Sequence, residues 1–399
     1  MMWKKSDDLP IPILSWCAEV EPSALVQAEN LARHPALRYH VALMPDCHCG
    51  YGMPIGGVVA AHNAVIPSAV GVDIGCGMAA VETDIPAERL SDMRFRREIQ
   101  TRIKALIPVG EGGYHKGEQQ WEGFERYLAL PGACENFVSA LDRRNLGTLG
   151  GGNHFIEIQK SDDGFVWLML HSGSRNLGKR IEEFYQKQAA VLCERYYTPL
   201  ADPDLAFLSM DDDAGRNYFR DMNFALEYAA ENRRRMMAVF KEVIEEFIPE
   251  VTFVNEINIH HNYAALENHF GEELYIHRKG ATSAKLDETG IIPGSMGTAS
   301  YIVRGLGNVR SFMSCSHGAG RRMSRNEANA TLTAAECDAA MAGIVCDRWH
   351  NVSRYGKNKK VLDLSEAPLA YKDIDTVIAS EKDLVEVRTR LTPLAVVKG

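Results

Sequence analysis

The chain has 399 residues, of which 46% are hydrophobic and 24% are charged, and its formal net charge is −9. This composition is typical of a globular protein, and the acidic balance argues against a binder that covers nucleic acid with a general basic surface, so any such site must be a local patch. No apolar run reaches the ~18 residues of a membrane span, and the N-terminal sequence is unlike a signal peptide, so we expect a cytoplasmic protein. Its nine cysteines lack paired CxxC spacings, which argues against a disulfide framework or a zinc finger.

The first predicted elements are short strands. Residues 41–85 alternate small apolar runs with Gly, Pro and Asn, which is typical of strands joined by tight turns. Residues 88–106 and 117–142 have charged and apolar spacing suited to helices. The segment FVWLMLH at 165–171 predicts a buried strand that delivers a histidine at its end.

Two longer helical blocks follow. Amphipathic spacing predicts helices at about 177–198 and 214–248, and the three arginines at 233–235 are expected on a solvated face. The strand-and-loop texture then returns without a linker or an internal repeat. The sequence therefore predicts one α+β domain, residues 1–399, with a β-rich core around a metal site and a helical block at about 177–248 inserted in it.

Five segments place ligand-type side chains among glycines or small residues. Glycine lets the backbone approach a ligand closely and adopt conformations closed to other residues, so such segments predict loops built around a bound ion or anion. Five of them in one chain predict a catalytic site rather than packing. They are GVDIGCG (71–77), GGNHF (151–155), HSGSR (171–175), HHN (260–262) and SCSHGAGR (314–321).

Four of these segments carry the candidate metal ligands, which are one carboxylate, one thiol and three of the imidazoles. A thiolate with imidazoles suits zinc, manganese, iron or cobalt, whereas calcium and magnesium prefer oxygen ligands. Five ligands exceed the four of a tetrahedral structural site, so either two ions share a bridging ligand or some of these residues do other work. The thiol is the natural bridge. The set is Asp73, Cys76, His154, His171 and His261.

The last segment has a different character. His317 lies among small residues, and Arg321 follows four positions later. An exposed imidazole nitrogen beside a cation that holds phosphate suits a histidine nucleophile, although a sixth metal ligand or a simple tight turn would give the same spacing. Arg175, Lys279 and the backbone amides of residues 291–297 are further candidates for phosphate contacts.

Longer motifs surround these segments in a fixed order: MPDCHCGYGMPIGG (44–57), GVDIGCGM (71–78), LGGGNHFIEI (149–158), MLHSGSR (169–175), HHNY (260–263), RKGA (278–281), IIPGSMG (291–297), SCSHGAGRRMSR (314–325), AYKDID (370–375) and the terminal VVKG. Together they resemble the RtcB family of GTP-dependent, manganese-dependent RNA ligases. The resemblance runs from about residue 40 to the last residue, and its fold would be a single RtcB-like domain.

The resemblance implies a reaction and its cofactors. RNA with a 2′,3′-cyclic phosphate or 3′-phosphate end would be joined to RNA with a 5′-hydroxyl end, in RNA splicing or repair, with GTP and two Mn²⁺ ions. His317 would attack the α-phosphate of GTP and carry GMP as a phosphoramidate. GMP would then pass to the RNA 3′-phosphate, and the 5′-hydroxyl would displace it. Asp46 would orient His317 by accepting the proton of its other ring nitrogen.

The resemblance also implies a division of the metal ligands. Asp73, Cys76 and His154 would hold one manganese ion, while Cys76, His171 and His261 would hold the other. Cys76 would then be a thiolate, because two adjacent cations favour the ionised form.

Further residues match family positions around the nucleotide and the RNA ends. Arg175, Lys279 and Arg321 would act on the phosphates, and Glu157 would accept the N1 and N2 donors of guanine, which ATP lacks. The other nucleotide contacts implied are Asn153, Ser295, Gly318, Ala319, Gly320, Tyr371 and Lys398.

Two interpretations from other classes stay open. A metal-dependent phosphoesterase would use the same ligands without His317 as nucleophile and without GTP. A noncatalytic RNA-binding protein should carry a stronger basic stripe and would not need five such segments. Cys47, His48 and Cys49 depart from the pattern expected of the family, and either extra metal binding or packing would explain them. The physiological RNA, an accessory activator and the oligomeric state are not predicted.

Overall fold

The computed structural model describes residues 1–347, 349, 351–353 and 360–399. Its strands are β1 (Trp3–Lys5), β2 (Ile13–Ser15), β3 (Leu37–His48), β4 (Ile55–Ala61), β5 (Ala64–Val65), β6 (Gly77–Pro86), β7 (Phe155–Ser161), β8 (Phe165–Ser172), β9 (Leu208–Ser209), β10 (Phe253–His260), β11 (Asn262–His269), β12 (Glu272–Lys279), β13 (Ala281–Ser283), β14 (Thr289–Ile292), β15 (Ser300–Gly305), β16 (Ser314–Ser316), β17 (Asn351–Ser353), β18 (Lys360–Leu362) and β19 (Val385–Lys398).

The α-helices lie mainly in the middle of the chain and near its C-terminus. They are α1 (Pro22–Ala32), α2 (Pro67–Val70), α3 (Met93–Leu106), α4 (Glu122–Leu128), α5 (Ala140–Asn145), α6 (Asn176–Arg195), α7 (Asp213–Phe247), α8 (Arg325–Thr331), α9 (Ala334–Ala340) and α10 (Ile374–Ser380). Helices and sheets together confirm a mixed α and β architecture. Over the described ranges, no helix combines the length and the apolar character needed to cross a bilayer.

One sheet has six strands in the order β1-β2-β3-β4-β12-β11. It is buried on both faces, because the side chains of β4 alternate between two apolar cores: Val58 and Ala60 face one, Val59 and Ala61 the other. Helix α1 covers the second face. The ladder between β3 and β4 shifts register between Leu43 and His48, an irregularity that re-aims the side chains at the end of β3.

The other large sheet has seven antiparallel strands in the order β10-β6-β8-β7-β19-β15-β14. Helices α3 and α7 cover one face, where Leu168 and Leu170 of β8 are buried. Trp167 and Met169, the alternate residues of the same strand, are buried on the opposite face. The strand predicted at 165–171 is therefore confirmed, as is its burial on both sides.

The two predicted helical blocks are confirmed as α6 and α7, but one detail was wrong. Arg234 is exposed as expected, whereas Arg233 is fully buried. Its guanidinium donates to the carbonyls of Gly75 at 2.8 Å and Ser172 at 2.9 Å. The face of α7 that packs on the sheet includes this position, and the two carbonyls provide the hydrogen bonds that a buried arginine requires.

The helix predicted at 117–142 is broken. The chain forms α4 and α5 with a turn at Pro131 and Gly132 between them, because proline lacks an N–H and Gly132 adopts a φ of 73°. The helix predicted from residue 88 begins later, at Met93. Asp92 accepts a hydrogen bond from the amide of Arg94 and caps that helix. The extent of the single predicted domain stays a prediction.

Candidate active site

Four of the predicted metal ligands lie at one end of the seven-stranded sheet. Cys76 comes directly before β6 and His154 directly before β7, while His171 lies near the end of β8 and His261 directly follows β10. These four strands are antiparallel neighbours, so the N-termini of two strands and the C-termini of the other two lie at the same end of the sheet. The fold thus gathers residues that are up to 185 positions apart.

The ligand atoms converge around the thiol. The Sγ atom of Cys76 lies 3.5 Å from Nε2 of His154 and 3.2 Å from Nε2 of His171. Nε2 of His171 lies 3.3 Å from Nε2 of His261, and Nε2 of His154 lies 3.4 Å from Oδ2 of Asp73. We call these five residues the metal cluster. Its central atom is the thiol sulfur, with one carboxylate–imidazole pair on one side and one imidazole pair on the other.

Backbone carbonyls set the orientation of two of these imidazoles. Nδ1 of His154 lies 2.9 Å from the carbonyl oxygen of Leu149, and Nδ1 of His171 lies 3.2 Å from that of Asn153. Because a carbonyl only accepts, each Nδ1 carries the proton and each Nε2 presents a lone pair to the cluster. This arrangement is typical of histidine ligands whose outer nitrogen is held by the protein.

Burial governs the protonation of the cluster. It lowers the pKa values of His171 and His261 well below the usual range and, together with the charge of Asp73, raises the pKa of the Cys76 thiol. Burial alone would raise the pKa of Asp73. The interactions with His154, Cys76 and His171 together have the larger effect, so the pKa of Asp73 is lowered. A bound cation would reverse the direction for Cys76 and favour the thiolate.

His317 and Asp46, which we call the nucleophile pair, come from the other part of the fold. His317 follows β16, and Asp46 lies in the irregular end of β3. Oδ2 of the buried Asp46 lies 2.6 Å from Nδ1 of His317 and also accepts the His317 amide at 3.1 Å. The ring of His317 lies 4.8 Å from the ring of His261, so the pair borders the metal cluster.

Arg175 lies beside the metal cluster. It has a φ of 57°, and its guanidinium contacts Thr148 and the ring of His154. Gly150 provides the space, because a Cβ at this position would lie 1.7 Å from Nη1 of Arg175. Asn153, the residue before His154, is exposed in the same loop. The GGGNHF segment therefore makes room for the guanidinium of Arg175 and also carries the candidate ligand His154.

Lys279 lies in a different environment. Its ammonium donates to the carbonyls of Tyr51 and Ser68, and burial lowers its pKa to about 8. The next residue, Gly280, lies against His317, since a Cβ there would be 3.0 Å from Cε1 of that ring. The Lys279 ammonium is thus bound by the Tyr51 and Ser68 carbonyls rather than by the nucleophile pair.

The residues predicted on the nucleotide side form a charged cluster around a carboxylate that the sequence interpretation missed. Glu366 accepts from the hydroxyl of Tyr371, lies 3.3 Å from Arg321 and lies 3.7 Å from Nζ of Lys398. Burial alone would raise the pKa of Glu366. The charges of Lys398 and Arg325, with the contacts of Tyr371 and Arg321, have the larger effect, so the pKa of Glu366 is lowered. Arg321 also packs over the ring of Tyr371 at 5.1 Å.

Glu157 lies deeper. Only 2% of this residue is exposed, and it accepts a hydrogen bond from Gln159 at 2.7 Å. Burial raises its pKa to about 8, and the charge of Lys398 opposes that shift. The pairing of β7 with β19 aligns Glu157 with Val396 and Phe155 with Lys398, which brings the chain's C-terminus to this end of the sheet.

The glycine-rich turn after His317 is held by neighbouring loops. Ala319 donates its amide to the carbonyl of Pro293 at 3.1 Å, and a Cβ at Gly318 would lie 3.1 Å from the same oxygen. Gly320 approaches the Asp46 backbone so closely that a Cβ would lie 2.3 Å from its carbonyl oxygen. Ser295 is bonded to Thr298 within the 291–297 turn. The structure thus packs the two predicted amide-rich turns together.

The side chains of Cys47, His48 and Cys49 lie in different environments and do not converge as ligands of one metal ion would. Cys47 is buried in an apolar core, Cys49 is exposed, and Nδ1 of His48 bonds the carbonyl of Asp46 at 2.9 Å. Among the described residues, the group with metal-binding spacing is Cys76, His154 and His171. All nine cysteines are free in the structure.

A cavity of about 960 Å³ connects the two predicted halves of the site. Its volume lies within the range of small-molecule sites. Asp73 and His154 of the metal cluster and Lys398 of the nucleotide side contribute to its wall. Residues that line it include Asp73, Asn153, His154, Arg175, Arg325, Glu366 and Lys398.

Comparisons with known proteins agree with the resemblance. The sequence model of a family described as tRNA-splicing ligase RtcB matches residues 27–399. The chain is 39% identical to the RNA-splicing ligase RtcB of Escherichia coli (strain K12), over 99% of this chain and 98% of that protein. It is 30% identical to the tRNA-splicing ligase RtcB of Nanoarchaeum equitans, over 95% of this chain and 92% of that protein. It is also 30% identical to the tRNA-splicing ligase RtcB of Thermococcus kodakarensis, over 94% and 91%. The chain belongs to the RtcB family.

Proposed function

We propose that this protein is an RNA ligase that uses GTP to join a 3′-phosphate or 2′,3′-cyclic phosphate RNA end to a 5′-hydroxyl end. Beyond family membership, one contact carries the proposal: the 2.6 Å hydrogen bond between Nδ1 of His317 and buried Asp46. Because the carboxylate accepts, it holds the proton on Nδ1 and leaves the lone pair on Nε2. Nε2 makes no hydrogen bond to the described part of the chain, so it is available as a nucleophile.

The metal cluster fits two ions that share a ligand. The sulfur of Cys76 and the Nε2 atoms of the neighbouring imidazoles converge in a buried place with more acceptor atoms than the thiol proton can satisfy, which a bound cation would reconcile. We assign Asp73, Cys76 and His154 to one ion and Cys76, His171 and His261 to the other. This donor set accepts manganese, and two ions there would stabilise negative charge on phosphoryl oxygens.

The chemistry starts at His317. Its Nε2 attacks the α-phosphorus of GTP, an N–P bond forms, and the bond to the β-phosphate oxygen breaks with release of pyrophosphate. Asp46 keeps its hydrogen bond to Nδ1 and stabilises the positive charge that develops on the ring.

The RNA then takes the nucleotide. An oxygen of the RNA 3′-phosphate attacks the same phosphorus and breaks the N–P bond, which leaves the RNA end joined to GMP through a diphosphate. The 5′-hydroxyl oxygen of the second RNA attacks the RNA-side phosphorus, and GMP leaves. A cyclic end is first opened by water to a 3′-phosphate.

Three polar side chains are assigned to the phosphates in this proposal, and a fourth, Lys279, is assigned a supporting role. Arg175 and Asn153 are near the metal cluster and line the cavity, while Arg321 contacts Glu366, which lines the same cavity. Lys279 supports the loop that carries Asp73, because its Cε would lie 3.1 Å from a Cβ at Gly71. Its buried charge acts on the site from behind that loop.

Glu157, Tyr371 and Lys398 are assigned to the nucleotide, together with the turns that contain Ser295 and residues 318–320. A guanine edge presents two donors, which favour the ionised form of Glu157 against the burial that raises its pKa to about 8. ATP lacks this edge, so the same carboxylate would discriminate against it.

Two RNA strands, one with a labelled 2′,3′-cyclic phosphate end and one with a 5′-hydroxyl end, test the function. We expect a joined product with manganese and GTP, none with ATP, and none with His317→Ala. Opening of the cyclic end without any joining, equal in wild type and His317→Ala, would favour a metal-dependent phosphoesterase instead. The cytoplasmic location stays a prediction from the sequence.

A further inference from the structure

Two successive residues at the end of β16 are each held by a buried carboxylate. Asp46 accepts from the amide and the ring of His317. Glu381, which follows α10 in the chain, accepts from the amide of Ser316 at 2.9 Å and also from its hydroxyl. Both carboxyl groups and Ser316 are fully buried. The backbone of Ser316 and His317 is therefore fixed by two side chains from distant parts of the chain.

The segment before α10 braces the same place. Lys372 donates its amide to the carbonyl of Gly320 at 2.9 Å. Its ammonium donates to the carbonyl of Cys47 at 2.6 Å and lies 3.4 Å from that of Pro45, the two residues that flank Asp46. The chain around α10 thus contacts both members of the nucleophile pair through their neighbours.

Replacement of the Glu381 carboxyl would leave Ser316 without partners. Water cannot compensate, because Ser316 has no exposed surface, and a buried unpaired amide or hydroxyl moves or distorts its backbone. Burial raises the pKa of Glu381 to about 8, and the nearby Asp46 charge acts in the same direction. A neutral amide at this position therefore matches the native group in charge, and its oxygen and N–H can pair with the Ser316 amide and hydroxyl, with the hydroxyl accepting instead of donating.

We infer that Glu381 is a positioning residue that sets the orientation of His317 through Ser316. It touches neither the nucleotide nor the reacting atoms. Its role is to keep Nε2 of His317 aligned with the phosphorus that it attacks. The inference rests on the proposed function, since it concerns the step in which His317 takes up GMP.

The rate of that step is the readout. Purified protein with manganese is mixed with GTP labelled at the α-phosphate, and label on the denatured protein is followed over time at several GTP concentrations. The variants are Glu381→Gln, Glu381→Leu and Ser316→Ala, with Glu386→Gln as control, because Glu386 is a partly exposed glutamate on β19 that pairs with Arg304. Thermal unfolding is recorded for each variant.

We expect Glu381→Leu to slow labelling at saturating GTP by about tenfold to a hundredfold, since small displacements of a reacting group have effects of this size. The GTP concentration for half-maximal rate should change by less than about threefold, because the nucleotide contacts stay intact. Glu381→Gln should restore the rate to within about threefold of wild type, because one amide oxygen and one amide N–H replace the native pair of contacts. Ser316→Ala should give an intermediate rate.

Equal rates in all variants would overturn the inference, as would a loss confined to the half-maximal GTP concentration. If Glu381→Leu does not fold, Ser316→Ala and Glu381→Gln decide: a wild-type rate in Ser316→Ala, or a slow rate in a folded Glu381→Gln, contradicts it. Absence of label on the wild-type protein would instead contradict the proposed function.

Discussion

The metal cluster and the nucleophile pair lie side by side, yet the chain holds them by different means. The cluster depends on strand register: neighbouring strands end together, and backbone carbonyls orient His154 and His171. The pair depends on charged side chains, with Asp46 bonded to His317 and Lys372 bonded to the backbone beside Asp46. One half of the site is thus fixed by the fold itself and the other by a few buried groups.

This difference predicts that substitutions in the two parts of the site have different consequences. A change in the cluster should remove metal and activity together, whereas a change in the pair should remove activity and leave the metal in place.

Cys76→Ala should abolish binding of both ions and all labelling by GTP. The thiol is the atom common to both halves of the cluster, and metal ions contribute several kcal/mol to such transfers, which corresponds to at least about a thousandfold in rate. Metal content after dialysis and GTP labelling are the measurements. Asp73→Ala, at the edge of the cluster, should lose one ion and retain the other. Retention of two ions by Cys76→Ala would contradict the assignment of the thiol as the shared ligand.

Asp46→Asn should lower the rate of GTP labelling by roughly a hundredfold to a thousandfold. The amide no longer stabilises a charged imidazole and favours the tautomer with the proton on the wrong nitrogen. Metal content should stay at the wild-type value, in contrast to Cys76→Ala. Loss of metal from a folded Asp46→Asn variant would show that the two halves are not held independently.

Arg233→Met should lower the free energy of unfolding by about 2–3 kcal/mol, because the carbonyls of Gly75 and Ser172 lose their donors in a buried place. These carbonyls adjoin Cys76 and His171, so metal affinity should fall as well. Urea unfolding and a manganese titration measure the two effects. The exposed neighbour provides the control: Arg234→Met should change stability by less than about 0.5 kcal/mol. Equal effects of the two substitutions would contradict the structural role of Arg233.

Glu157→Gln should change how stability depends on pH. Burial raises the pKa of Glu157 from 4.5 to about 8. Between these values the folded chain keeps a proton that the unfolded chain has lost, so this group's contribution to stability falls as pH rises. The variant should therefore gain at least about 1 kcal/mol on wild type between pH 5 and pH 8. Urea unfolding at both pH values is the measurement, with Glu386→Gln, at a partly exposed position, expected to show no such gain.

The convergence of these five residues could be predicted because their sequence signals are local. Four of them lie at strand ends and Asp73 lies in the loop before β6, all beside glycines or other turn residues, and the strand that carries His171 is visible as an apolar run. The thiol at position 76 stood out as the shared ligand, and the structure places its sulfur between His154 and His171. The longer motifs added the family, which the comparisons confirm.

The supports of the site could not be predicted, because they act across long separations. Glu381 meets Ser316 across 65 residues, and Glu366 meets Arg321 across 45. No local pattern marks either carboxylate as buried. Arg233 is different: it lies on the same helical face as Ala229, Met236 and Met237, all buried, so the helical period carried a signal that a run of three arginines obscured.

Mass spectrometry of the wild-type protein after incubation with manganese and GTP locates any GMP attached to the chain, and so tests whether the metal cluster and the nucleophile pair form one active site. We expect one GMP on the peptide that contains His317, absent from Cys76→Ala and strongly reduced at the same incubation time in Asp46→Asn, because each half of the site is needed for the transfer. GMP on another residue, or a normal yield of GMP on His317 in Cys76→Ala, would show that the two halves do not form one active site.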